Sequence, residues 1–233
     1  MNSKNIIKII AITGPVKEFL VKKLKVNKKK IQIVPSASSI KIKFSKLKAK
    51  KVYNIGYFGS LDKSKGSKFV MELSKIDKIN NYFVFGGDRK HINYLRKNFP
   101  NKNLYLHEYV SYKNLKNHIK KMDVLVMPSN NKVLRSLGGI GNIAKYTSPL
   151  KLFDYLASGK LIIMSNLKVF NEIIKNNKNC IVLDLVHNKW FAVIKKITKN
   201  IKRINILKKN AFILSKNYTY KKRAQQLLDG LNY

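Results

Sequence analysis

The chain has 233 residues, 45% of them hydrophobic, enough for one large domain or one and a half with a buried core. Lys and Arg number 49 against 11 Asp and Glu, a net charge of +38. The single cysteine, Cys180, excludes an internal disulfide, and no apolar run approaches the roughly 18 residues of a membrane span. In chain order, "NIIKIIAIT" reads as a strand, "PVKEFLVKKLKV" as a helix opening on Pro15, and "KIQIVP" as a strand ending at Pro35. A polar, Lys-rich link covers Ser36 to Lys51. The pattern then regularises into strand "VYNIGYFG", helix Lys65 to Ile76, strand "YFVFGG", helix Arg89 to Asn98, strand "NLYLHEY", helix Tyr112 to Lys121 and strand "DVLVMP". A loop from Ser129 to Thr147 leads to a short helix in "YTSPLKLFDYLASGK", then strand "KLIIMS", helix Val169 to Asn176 and strand "CIVLD". Helices alone close the chain: Asn188 to Asn200, Arg203 to Ser215 and Tyr220 to Leu231.

Short strands separated by amphipathic helices predict βαβ units and a Rossmann-like, doubly wound parallel sheet. Ligands in such folds bind beyond the carboxyl ends of the strands, so the loops after "YFG", "FGG", "HEY" and "VMPS" should share one crevice. Three stretches bear on it. In "GYFGSLDKSKGSKF", Gly59 ends a strand and Lys65-Gly66 precede a helix; the P-loop spacing fails, and the loop by itself reads first as a solvated turn with a helix-opening glycine, with a diphosphate turn as the alternative. In "GGIGNIA", Gly139, Gly141 and Ala144 match G-x-G-x-x-A without the strand, helix or acid of a dinucleotide site; the loop is expected to rim the crevice, with Arg135 and Lys145 as anion contacts. In "YTSPLKLFDYLASGK", Ser148 is expected as N-cap with Pro149 at N1. Lys151 in the first turn opposes the helix dipole but favours a bound phosphate, and Asp154 lies on the same side to accept from a ribose diol. A plain Lys–Asp surface pair is the alternative there. His91, His107, His118 and His187 have no metal spacing, so no metal is expected; a packed strand-end residue is the reading of His107.

The stretch "YTSPLKLFDYLASGKLIIMSNLKVFNEIIKNNKNCIVL", with "IGYFGSLDKSKG" before it, resembles the signature region of the group 1 glycosyltransferases, family 4. The resemblance covers roughly residues 5 to 231. It implies a GT-B enzyme of the retaining, metal-independent kind, using a nucleotide-sugar donor and no cofactor. Carried over by position, Lys65 would contact the donor diphosphate and stabilise the departing charge. Gly59, Ser60 and Gly66 form the turn, Ser148, Pro149, Leu150 and Lys151 meet the phosphates, Asp154 binds the ribose, and Tyr109 and Val110 receive the base. Ser60 stands where the family often has Arg, Tyr146 where it has a first acid, and Asp154 where it has Glu.

Residues 1–35 resemble only the last strand–helix–strand of the acceptor-binding domain. The resemblance thus divides the chain into that remnant, a 36–51 linker, a 52–200 nucleotide-sugar domain and C-terminal helices over 201–233 that pack back on the missing domain. The expected activity is transfer of a sugar, in a hexosyltransferase-type reaction, to a glycan or lipid-linked acceptor in cell-envelope polysaccharide biosynthesis. It would require a missing or separate acceptor-domain subunit; the alternative is a non-catalytic nucleotide-sugar-binding or interaction module.

The charge adds little to this. Only five cations are Arg (Arg89, Arg96, Arg135, Arg203, Arg223), and a Lys/Asn/Ile bias is what AT-rich coding produces. Nucleic-acid readers favour Arg interleaved with aromatics, so no specific nucleic-acid partner is expected. Weak peripheral attraction to an anionic membrane is, at about 1 kcal/mol per basic residue near the surface. The run "IIKIIAI" is broken by Lys8 and lacks a cleavage site, so a cytoplasmic location is expected.

Overall fold

The computed structural model describes residues 3, 5–136 and 141–231. A small N-terminal unit comes first: β1 (Ile9–Ala11), α1 (Gly14–Lys22) and β2 (Ile31–Ile33), the two strands pairing in parallel. Thr13 caps α1 and Pro15 sits in its first turn, where a missing N–H removes no bond. Its apolar cluster is small: Ala11, Val26 and Ile31 are buried together, with Ile9, Val16, Leu20 and Val21 packed around them. A two-stranded sheet with so small a core is marginal alone.

The main sheet has six parallel strands: β3 (Asn54–Phe58), β4 (Asn81–Phe85), β5 (Leu104–His107), β6 (Val124–Met127), β7 (Leu161–Ser165) and β8 (Ile181–Leu183). Their order is β5-β4-β3-β6-β7-β8. Between them run α2 (Ser67–Ile76), α3 (Arg89–Asn98), α4 (Tyr112–Lys121) and α5 (Leu150–Ser158), and the chain ends in α6 (His187–Lys195), α7 (Ile201–Ser215) and α8 (Tyr220–Asp229). The continuous apolar strands are explained by burial on both faces. Along β6 and β7, Val124, Val126, Leu161 and Ile163 face a core with α2, α3 and α6, around Trp190; Leu125, Met127, Ile162 and Met164 face another with α4 and α5.

Two sequence expectations are corrected. Val169 to Asn176 is not a helix but a five-residue 3-10 segment, Lys168–Glu172. Val169, Phe170, Ile173 and Ile174 are all buried, and the Asn179 side chain takes the Lys175 N–H, so the chain turns instead of winding on. The helix expected over Asn188 to Asn200 starts at His187 and stops at Lys195, and a 3-10 turn, Thr198–Asn200, leads into α7.

The 36–51 segment is strapped onto α7. Leu47 exchanges hydrogen bonds with the Asn205 amide (2.7 and 3.0 Å), and the Lys208 ammonium donates to the Ser45 carbonyl (3.0 Å). Helix α8 returns to the N-terminal unit: Arg223 donates to the carbonyls of Val34 (2.7 Å) and Pro35, and Gln32 Nε2 to the Gln226 carbonyl (2.7 Å). The Glu172 carboxylate accepts from Gly14 N–H with both oxygens (3.0 and 3.1 Å), at the positive end of α1. Among the described residues, no helix is long and apolar enough to cross a membrane.

Candidate functional site

The strand order reverses between β3 and β6, and the crevice beyond their carboxyl ends is where such folds take ligands. From β3, Asp62 accepts from Ser64 N–H (2.8 Å) and its hydroxyl, winding Lys63–Lys65 into one 3-10 turn. Gly66 closes that turn at φ 91°, and a Cβ there would fall on the Pro128 carbonyl at the end of β6. The two loops are therefore packed backbone to backbone. Asn130 N–H donates to the Ser64 carbonyl (2.8 Å) and Arg135 N–H to the Ser64 hydroxyl (2.9 Å). This holds Lys65 half-buried at the lip of the crevice, its pKa lowered by burial and partly restored by Asp62.

The helix start differs from the expectation. Pro149, in extended backbone, is the N-cap, so Leu150 is N1 and Lys151 is N2. Ser148 does not cap. Its Oγ accepts from Ser36 N–H (3.3 Å), while its carbonyl accepts from the Ser36 hydroxyl (2.9 Å). Ser36 thus occupies the Ser148 side chain, and the first turn of α5 carries no side-chain acceptor among the described residues. Lys151 turns in toward the sheet end. Its Nζ lies 4.5 Å from the Tyr57 ring centroid, and a Cβ on Gly59 (φ 151°) would come within 2.8 Å of it. The stem reaches the surface, but Nζ is shut off from solvent and has no hydrogen-bond partner among the described residues. Burial first, and Lys65 second, push its pKa down to about 7.

Asp154 lies a turn further in, buried. Its Oδ1 accepts from the Ser38 hydroxyl (2.6 Å) and the Tyr112 hydroxyl (2.9 Å). Burial raises its pKa and these two bonds lower it. Lys151 and Asp154 are not a surface pair: one faces Tyr57, the other Ser38 and Tyr112. Tyr109 is exposed and Val110 half-buried, at the end of β5, and the Tyr109 N–H donates to the Gly87 carbonyl (2.9 Å).

Other predicted contacts disperse. Arg135 lines a cavity of about 700 Å³ with Leu61, Asp62 and Ser64; Lys145 lines another of about 790 Å³ with Tyr146, Lys168 and Glu172. Gly139 lies outside the described residues. His107 stacks on Phe85 (centroids 4.5 Å apart), and burial lowers its pKa, as for a packed ring. Among the described residues, no three His, Cys, Asp or Glu side chains cluster as metal ligands. Ser38, Tyr112 and Tyr57 were missed from the sequence. Only Tyr57 left a signal, an aromatic two residues before the strand-ending glycine.

A family model described as "Glycosyl transferases group 1" matches residues 38–225. The chain belongs to the group 1 glycosyl transferases. No curated protein matches by sequence. Among solved structures, this group 1 chain is similar to a glycosyltransferase from Rickettsia africae (TM-score 0.72, 15% identity), over 98% of its own length and 64% of the other's. It is similar to HepE of Anabaena in complex with UDP-glucose (0.72, 11%; 97% and 63%). It is also similar to a TarM variant of S. aureus in complex with fondaparinux, α-GlcNAc-glycerol and UDP (0.74, 14%; 100% and 45%). At such identities the likeness shows the fold, a Rossmann-like GT-B half. The chain spans less than two thirds of the length of these structures.

Proposed function

We propose that the chain is the donor-binding part of a retaining, hexosyltransferase-type glycosyltransferase. It moves a sugar from a nucleotide diphosphate to a glycan or lipid-linked acceptor, with the acceptor wall supplied by a separate or missing domain. The observation that carries the reading is Lys151 Nζ, held dry near Lys65 at the start of α5, with no hydrogen-bond partner and no side-chain cap among the described residues. A diphosphate is the group that all three features favour.

In this reading Lys65 and Lys151 meet the charge that builds on the diphosphate as the glycosidic bond to it breaks, with no metal in that role. The first amides of α5 hold the phosphates, Asp154 accepts from the ribose, and the backbone at Tyr109 and Val110 receives the base. The cation that Ser60 lacks is replaced by Lys151, which reaches the same glycine turn from α5. The two solved relatives carrying UDP-glucose or UDP support the donor class. A net charge of +38 would hold the chain near an anionic membrane where lipid-linked acceptors lie. Titrating labelled UDP-, GDP- and ADP-sugars against the chain tests the reading: saturable binding of at least one is expected, and no binding of any at millimolar concentration overturns it.

A further inference from the structure

We infer that a nucleoside diphosphate enters this site together with one proton, which Lys151 Nζ takes up from solvent as the phosphates become its partner. The inference rests on the donor-site reading above. The geometry supplies the reason. Lys151 Nζ is enclosed, and among the described residues the groups facing it offer no countercharge. From β3 comes Tyr57, whose buried phenol donates to the Ser60 carbonyl (2.7 Å) and stays protonated. From the loop after β3 comes Lys65, a like charge, with Asp62 beside it but committed to Ser64. On α5 itself, Asp154 is held by Ser38 and Tyr112, and the neutral phenol of Tyr155 accepts from Phe58 N–H (3.0 Å). When two ammonium groups share a low-dielectric pocket, the more buried one gives up its proton first. Of the two, that one is Lys151, with a pKa of about 7. A diphosphate reverses both causes, since it is the missing partner and outweighs the Lys65 charge.

The consequence is measurable. At about pH 8, an amine titrating near 7 is roughly nine-tenths neutral, while a terminal phosphate with its second pKa near 6 is already ionised. Calorimetric titration of UDP into the full chain at about pH 8, in two buffers of different ionisation heat, counts the protons. Close to one proton taken up per UDP is expected. K151R, permanently charged, and K151M should both bring the count near zero, with melting curves confirming that each is folded. UDP binding without net uptake, or with the same uptake in K151M, overturns the inference and leaves the donor-site reading standing. Absence of UDP binding at millimolar concentration overturns both.

Discussion

Replacing Lys151 with Met should stabilise the protein while it abolishes the ligand's partner. Met keeps a flexible, unbranched chain over the Tyr57 ring and removes the ammonium. A fall from 10.5 to about 7 is roughly 3.5 units (10.5 − 7), or about 5 kcal/mol at about 1.4 kcal/mol per unit. Relaxation around a real charge trims this, so the expected gain at pH 7 is about 2–4 kcal/mol. For a chain of this size that is about 5–15 °C in the midpoint. The sign follows from the lowered folded-state pKa. The unfolded chain binds more protons between about pH 7 and 10.5, so wild-type stability recovers as pH rises through that window. The gap to K151M should therefore be large at pH 7 and narrow toward pH 10. Lys208 and Lys160, whose pKa values burial also lowers, are common to both proteins and cancel in the difference. Urea unfolding followed by fluorescence of the fully buried Trp190 reads it. A variant no more stable than wild type at pH 7, or a gap of equal size at both pH values, would refute the reasoning.

Asp154→Asn keeps an acceptor for Ser38 and Tyr112 but loses the charge, so UDP affinity should drop roughly tenfold, about 1.4 kcal/mol, by calorimetry; unchanged affinity would remove Asp154 from the site. Glu172→Ala strips the acceptor from the start of α1 at about 1 kcal/mol. Hydrogen exchange should then quicken in α1 and not in β3 or β6, and uniform quickening would contradict the local lock. EDTA should leave UDP affinity unchanged, whereas a loss of tenfold or more would assign the diphosphate charge to a metal.

Much of the fold was legible because it is local. The alternation of β-rich runs with helical periods placed the six strands of the sheet, and the strand ends pointed to the crevice. Residues 169–176 went astray because two adjacent pairs of apolar residues satisfy a helical stripe as well as a tight turn, and the Asn179 side chain that takes the Lys175 N–H leaves no mark in that stripe. Ser148 looked like a cap because its competitor, Ser36, is 112 residues away. The candidate site's residues could be named from the sequence, but their arrangement could not. Lys151 and Lys65 were both assigned to an anion, but the closure of Lys151 over Tyr57 and the grip of Ser38 and Tyr112 on Asp154 are long-range contacts without a sequence period.

A crystal structure of the chain with UDP bound tests the central claim most directly. Phosphate oxygens should lie at hydrogen-bond distance, about 2.7–2.9 Å, from both Lys65 Nζ and Lys151 Nζ beyond β3 and β6. UDP seated elsewhere, for instance in the cavity beside Lys145 and Lys168, with Lys151 still unpartnered, would contradict the account.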